Sequence, residues 1–145
     1  MSDIAITAAS VLASANVVQK FIGVAGAAIT AGQALYKDTA NGNVLKLADA
    51  ITASPANIFA GFALHAAATG QPINYVYVDP NFIFGGAAAV GDTIWMSGAN
   101  AGGVTSTVGD LATGWMIWVL GVCNLAGAAG TATINLNPTQ GAVHA

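Results

Sequence analysis

The chain has 145 residues and a net charge of −3, with 6% charged side chains against 55% hydrophobic ones. An average soluble domain has about 25% charged residues, and the only basic residues here are three lysines, none of them after Lys46. This distribution lacks the basic surface that neutralises nucleic-acid phosphates, and the apolar composition excludes a highly charged disordered tail. The single cysteine, Cys123, excludes an internal disulfide framework and a cysteine-based zinc cluster.

The mean hydropathy of +0.67 raises the question of a membrane-spanning segment. Such a helix needs about 20 predominantly apolar residues. The two best windows, residues 21–36 and 115–130, are shorter and contain polar residues such as Gln33 and Asn124. The N-terminus also lacks the basic segment of a signal peptide. We therefore expect no membrane partner, and we expect the apolar surface to be buried against protein, in a homo-oligomer or on a larger scaffold.

Turn signals recur along the chain at a spacing typical of a sandwich or barrel of short strands. Asn41-Gly42 lies between residues 35–38 and 44–47, and it is the dipeptide that type I′ hairpin turns favour. These two segments are therefore predicted to form a hairpin. Further strands are predicted at residues 17–24, 73–78, 93–96, 115–122 and 131–136.

Proline and glycine punctuate the segments between these strands. Asp79-Pro80-Asn81 predicts a turn, because proline restricts the residue before it to an extended conformation. Ser54-Pro55 resembles a helix start and predicts one short helical turn through residues 56–58. The alanines at 87–89 are flanked by glycines, which favours a loop.

Three segments of the first half resemble segments 59 or 60 positions later. The matching pairs are residues 32–36 with 91–95, 60–64 with 120–124, and 70–74 with 130–134. Such a repeat predicts two similar β-units packed as one body. Chance similarity within a chain rich in alanine and glycine is the alternative.

The sequence therefore predicts an all-β fold: a compact sandwich or barrel-like domain of short antiparallel strands, with two similar β-units as a hypothesis. Residues 1–16 are interpreted as an N-terminal arm or first strand, either lying along the sheet edge of a neighbour or forming a frayed terminus. Residues 17–137 are predicted to form the single β-rich domain. Residues 138–145 are predicted to be a C-terminal tail, with a polar stop followed by a loose end.

The titratable side chains form no recognisable catalytic pattern. His65 lies in an apolar run and is interpreted as a hydrogen-bonded structural histidine, and Cys123 is interpreted as a small core residue. A catalytic pair of these two residues is the enzymatic alternative. The aspartates have ordinary explanations at turns and strand starts, and the chain has no P-loop or nucleophile elbow. We therefore predict that the protein is not an enzyme and has no catalytic, cofactor-binding or metal-binding residues.

Trp115 and Trp118 are separated by an odd number of positions. Because side chains alternate between the two faces of a regular strand, the two indoles are expected to point in opposite directions. We expect one to face the core and the other an interface. A carbohydrate-binding module that uses these rings as its platform is therefore one alternative function.

The order of several glycine- and alanine-rich segments resembles the capsid decoration, or cement, proteins of tailed bacteriophages. The similarity extends over residues 17–137. The segments that carry it are residues 24–36, 46–50, 60–72, 90–97 and 114–122.

This resemblance implies a small β-rich virion protein, made in the host cytoplasm, that binds the outer capsid surface. It implies a homotrimer at three-fold or quasi-three-fold positions, with the major capsid protein as partner and capsid stabilisation as function. The family brings no catalytic residues. The alternative is another self-assembling structural subunit, such as a fibre base, a tail tube or a surface layer.

Overall fold

A computed structural model describes residues 3–127 and 130–145, in which nine strands form one curled antiparallel sheet. The strands are β1 (Gln19–Val24), β2 (Ala34–Asp38), β3 (Val44–Leu47), β4 (Gly61–Ala63), β5 (Pro72–Ile83), β6 (Thr93–Met96), β7 (Val104–Thr105), β8 (Met116–Leu125) and β9 (Thr133–Val143). Three short 3-10 turns are the helical segments of the described residues: Ala8–Ser10, Thr39–Asn41 and Val108–Asp110. The prediction of an all-β antiparallel fold is confirmed, but β5, β8 and β9 are longer than expected, with 12, 10 and 11 residues. In the described ranges, no helix is both long and apolar enough to cross a membrane.

The sheet consists of two similar halves that share the long strand β5. We call β1–β4 with residues 72–78 of β5 unit 1, and residues 79–83 of β5 with β6–β9 unit 2. In unit 1, β2 pairs with β3 and β4, and β4 pairs with β5. In unit 2, β6 pairs with β7 and β8, and β8 pairs with β9. The pairing scheme is therefore the same in both halves.

The register also repeats with an offset of 59 or 60 positions. Tyr36↔Lys46 and Leu35↔Gly61 in unit 1 correspond to Trp95↔Thr105 and Ile94↔Gly121 in unit 2. Gly32, Gly70, Gly91 and Gly130, at the matching strand starts, all have positive φ angles. The repeated pairing and register agree with the hypothesis of two similar β-units in one body.

The predicted turn at Asp79-Pro80-Asn81 is wrong, because these residues lie inside β5. The register shifts between Asp79 and Phe82, where β5 passes from its unit 1 partners to β9. Proline has no N–H to donate to the sheet. It is tolerated at such a bulge because a residue there need not form a ladder hydrogen bond. The buried Asp79 carboxylate accepts hydrogen bonds from the Asn81 N–H (3.1 Å), the Ser14 N–H (2.7 Å) and the Ser14 hydroxyl. These bonds keep the chain extended through the sequence that resembles a turn.

The described part of the N-terminal arm lies along unit 2 of its own chain. The Ile4 N–H donates to the Val104 carbonyl (2.8 Å), and the Thr7 N–H donates to the Gly85 carbonyl (2.7 Å). Leu12 forms an antiparallel bridge with Ile83 through two hydrogen bonds of 3.0 and 3.1 Å. The described residues of the arm are thus bound to their own chain by backbone hydrogen bonds.

The hairpin of β2 and β3 is confirmed, but its two-residue type I′ turn is not. The loop has a 3-10 turn at Thr39–Asn41, followed by left-handed conformations at Gly42 (φ 72°) and Asn43 (φ 63°). Asp38 accepts hydrogen bonds from Asn41 Nδ2 and Lys46 Nζ, both at 2.7 Å, which fix this longer loop. The Lys46 hydrogen bond holds the pKa of Asp38 below its ordinary value. The Asp38–Lys46 pair therefore contributes its full stabilisation when the pH is above the pKa that Asp38 has in the unfolded chain. This contribution is lost as the pH falls through the lower pKa of Asp38 in the folded protein.

Two other local predictions differ from the structure. Residues 54–57 form turns rather than a helical segment. The tail predicted from residue 138 is instead the second half of β9, in which Gln140 pairs with Trp118 and Val143 with Met116. The ten-residue strand β8 provides a partner along this whole length, so the polar residues remain in the sheet.

The repeat can be tested at Gly61 and Gly121, which occupy matching positions. An added Cβ at Gly61 lies 2.7 Å from the Val76 carbonyl oxygen, and one at Gly121 lies 2.5 Å from that of Asn135. Because backbone must move in both cases, we expect Gly61→Ala and Gly121→Ala each to lower the free energy of unfolding by about 1–3 kcal/mol. Denaturant titration measures this, with Gly109→Ala as the control because its Cβ meets nothing within 4 Å. A neutral effect at only one of the two glycines would contradict their equivalence.

The Asp79–Ser14 contact gives a second prediction. We expect Asp79→Asn and Ser14→Ala each to cost about 1–3 kcal/mol of stability, because each leaves buried polar groups without a partner. The double variant should cost less than the sum, because both changes remove the same interaction. Asp49→Asn is the control, since Asp49 Oδ1 accepts only from the nearby Ile51 N–H (3.2 Å) in an exposed turn. Additive losses in thermal unfolding would show that the two residues do not interact.

Candidate functional site

An open groove of about 550 Å³ lies on the surface of unit 1. It is formed by β1, the end of β2, the middle of β5 and the loop that precedes β4. Its lining is mainly aromatic and aliphatic, with one cationic side chain at its edge. The residues that line it are Gln19, Phe21, Lys37, Thr39, Ser54, Pro55, Ile58, Phe59, Ala60, Tyr75 and Tyr77.

The pairing of β1 with β5 positions the aromatic rings on one side of the groove. Phe21 lies opposite Tyr75, and their ring centroids are 5.5 Å apart. Tyr77 is two positions further along β5 and therefore lies on the same face as Tyr75. Phe59 stacks against Tyr77 at 6.0 Å and contacts Trp118 at 6.1 Å, which connects the groove to the core.

The loop that carries Phe59 is held in place by hydrogen bonds to both units. The Ala60 N–H donates to the Leu35 carbonyl (2.7 Å), and the Trp118 indole N–H donates to the Asn57 carbonyl (2.9 Å). The wall of the groove is therefore fixed, which makes it a preformed surface.

Lys37 is the cation at the edge of this groove. It is exposed, and among the residues that the structure describes it has no ion pair. The adjacent Asp38 is already paired with Lys46, at 2.7 Å. The groove thus combines an apolar floor with an unpaired positive charge.

His65 and Cys123, the pair considered as the enzymatic alternative, form separate hydrogen bonds. His65 Nε2 accepts a hydrogen bond from the Asn74 N–H (3.0 Å), and its Nδ1 lies 2.9 Å from the Ala66 carbonyl oxygen, so Nδ1 carries the proton. Cys123 lies in unit 2, where its Sγ donates to the Leu125 carbonyl (3.3 Å). Within the described ranges, no three histidine, cysteine or acidic side chains cluster closely enough to hold a metal ion.

The expectation that Trp115 and Trp118 face opposite environments is wrong. Both are buried, with 2% and 5% of their surface exposed, and both pack in the same core cluster. The spacing rule fails because Trp115 lies before β8, which begins at Met116, and because the β8–β9 register shifts between Met116 and Trp118. The indoles therefore do not form an exposed platform for a carbohydrate.

The groove itself was not predicted from the sequence. Its aromatic residues are distant in the chain, and only the alternation of Tyr75 and Tyr77 indicated a shared face. A scan against protein-family models gives no match for this chain, and a search of curated proteins gives none either.

The environment of Cys123 predicts a chemically inert thiol. Burial raises the pKa of the thiol above its ordinary value, and only 1% of the residue is exposed. We therefore expect iodoacetamide to modify the folded protein much more slowly than the protein unfolded in guanidinium chloride. Mass spectrometry measures the two rates, with free cysteine as the reference. Equal rates in the folded and unfolded protein would contradict this burial.

Proposed function

We propose that this protein is a structural virion protein that binds the outer surface of a bacteriophage capsid. It stabilises the shell by bridging major capsid subunits, and it associates as a homotrimer. The resemblance of residues 17–137 to decoration proteins suggests this role, and the exposed surface of unit 1 supports it.

The observation that carries the proposal is a cluster of exposed apolar side chains on and beside β1. Its members, which we call the β1 patch, are Val18 (67% exposed), Phe21 (45%), Ile22 (70%) and Val24 (47%). The other exposed large apolar residues lie outside β1: Leu12, Ile51, Val90, Val108, Val122, Leu125 and Val143. Phe21 lies on the groove face of β1, and Ile22 and Val24 lie on the other face. The strand thus exposes apolar side chains on both faces, and exposed apolar surface of this kind is typical of a protein-binding site.

The charges of the chain support attachment by apolar contact. The accessible surface is 6366 Å², close to the value of about 6,800 Å² expected for a folded monomer of this mass. This surface is shared by only nine charged side chains. Contact with a shell therefore depends mainly on apolar area, at about 25 cal/mol per Å² buried.

Repetition over the shell explains how modest contacts stabilise a capsid. Each copy needs only a moderate affinity, because linked copies bind with a high effective concentration. A trimer that contacts several subunits makes their separation depend on the release of all its contacts. The protein thus needs no catalytic chemistry for this role.

Another self-assembling subunit, such as a fibre base or a surface layer, would use the same β1 patch. The two functions differ in where the protein binds. Intact particles that carry the protein on the outside of the head would favour decoration over this alternative.

The test uses heads that lack the protein and measures binding and resistance to heat. We expect the wild-type protein to bind and to raise the temperature at which the heads release DNA. Val24→Asp should weaken binding at least about tenfold, because it places a charge in the apolar contact. Val108→Asp is the control, since Val108 is an exposed valine of unit 2 (69% exposed). Absence of binding by the wild-type protein would overturn the proposal.

The salt dependence of binding is a further readout of the same experiment. Between about 0.01 M and about 1 M salt, the Debye length falls from about 30 Å to about 3 Å. We expect affinity to change less than about tenfold over this range, because few charges contribute. A collapse of binding at moderate salt would contradict apolar attachment.

A further inference from the structure

Strand β1 has one paired edge and one open edge. It pairs with β5 on one side. On the other side, within the described chain, the residues just after the strand contact Leu45: Ala25 forms a parallel bridge with it, and the Gly26 N–H donates to its carbonyl (2.8 Å). Ile22 lies opposite Asn74, whose backbone N–H and carbonyl bond to His65 and Leu64 on the far side of β5. Because hydrogen-bonded and non-hydrogen-bonded pairs alternate in an antiparallel ladder, the N–H and carbonyl of Ile22 point away from β5. The open edge therefore presents backbone donors and acceptors to a further strand.

Unit 2 shows how the corresponding edge is completed. The second half of β5 occupies the position of β1, since Gly23↔Ile73 in unit 1 corresponds to Ile83↔Thr133 in unit 2. The free edge at Ile83 is covered by Leu12 of the arm through two backbone hydrogen bonds. The arm thus bonds to this edge of unit 2 at one residue, whereas in unit 1 the chain itself contacts the edge only beyond β1, at Ala25 and Gly26.

The side chains near the open edge indicate the chemistry of the missing segment. The aromatic groove of unit 1 borders β1 through Gln19 and Phe21, and it has room for an apolar side chain. Lys37 at the groove and Lys20 on β1 have no ion-pair partner among residues 3–127 and 130–145. A segment with an apolar anchor and a carboxylate is complementary to this surface.

The carboxylates of the chain itself are already engaged. Each of the six aspartates accepts a hydrogen bond within its own chain: Asp3, Asp38, Asp49, Asp79, Asp92 and Asp110. The arm is bound to unit 2, so it does not reach β1. A carboxylate of a second copy would share its oxygens with a hydrogen bond of its own chain, and the arm of that copy is bound to its own unit 2, so a different protein is the better fit as partner.

We propose that the open edge of β1 and the adjacent groove bind an extended segment of a major capsid subunit by strand addition. The segment pairs with β1, places an apolar side chain in the aromatic groove and directs a carboxylate to Lys37. Backbone pairing supplies affinity, and the groove supplies specificity. This inference rests on the proposed function, since it assigns the contact through which the protein attaches to the shell.

The first test measures amide hydrogen exchange of the wild-type protein, alone and bound to heads that lack it. We expect exchange at Ile22 and Val24 to slow at least about tenfold on binding, because their N–H groups enter a new ladder. Unchanged exchange at these amides in a bound protein would overturn strand addition and leave the proposed function intact. Absence of binding to heads would overturn both. Protection that instead grows with the concentration of the free protein would identify a second copy as the occupant and overturn the assignment to a capsid subunit.

Variants provide an independent readout. Ile22→Pro removes the outward N–H without removing a bond to β5, since proline is tolerated on a strand edge that faces solvent. We expect it to weaken head binding at least about tenfold, whereas Ile22→Val, which keeps the N–H, should stay within about threefold of wild type. Lys37→Gln should weaken binding more than Lys37→Arg does. Equal binding of Ile22→Pro and Ile22→Val, with both folded by circular dichroism, would refute the pairing.

Discussion

The buried carboxylate of Asp79 is the interaction on which the arrangement of the sheet depends. It receives hydrogen bonds from Ser14 and Asn81 at the point where β5 leaves one set of partner strands and joins another. A buried carboxylate is tolerated only when such donors satisfy it. The same group therefore holds the bulge, extends β5 through Pro80 and fastens the arm to the junction. This site joins the two units along β5, and the Trp118 hydrogen bond to Asn57 is a second connection between them.

The two units share a strand scheme but differ in how completely they are filled. The core cluster that includes unit 2 contains both tryptophans, and Ile4, Ile6 and Val11 of the arm pack against it. The second cluster, in unit 1, is smaller, and one of its residues, Tyr75, also lines the aromatic groove. The three lysines also lie in unit 1. Duplication of one β-unit thus produces a closed half that supports the fold and an open half whose surface is suited to binding.

The features that were predictable from the sequence are local or periodic. The hairpin, most strand positions and the repeat depend on alternation and on turn residues, which do not require knowledge of distant contacts. The Asp79 bulge was missed because the residue that satisfies it, Ser14, is 65 positions away. The burial of both tryptophans depends on a register shift that is invisible to a rule for regular strands. The groove was missed because Phe59 and Tyr77 are brought together only by the tertiary fold.

The sharing of β5 also sets the order in which the chain can be completed. A nascent chain emerges from its N-terminus, so unit 1 has all its strands once β5 is out. The second half of β5 can pair with β9 only later, because β9 is the last of the nine strands in chain order. The arm precedes unit 1 in the chain, yet the Val104 and Gly85 carbonyls that accept its hydrogen bonds lie after unit 1. Unit 1 can therefore be completed before the arm binds, because the arm needs a bond to β7, which is made later.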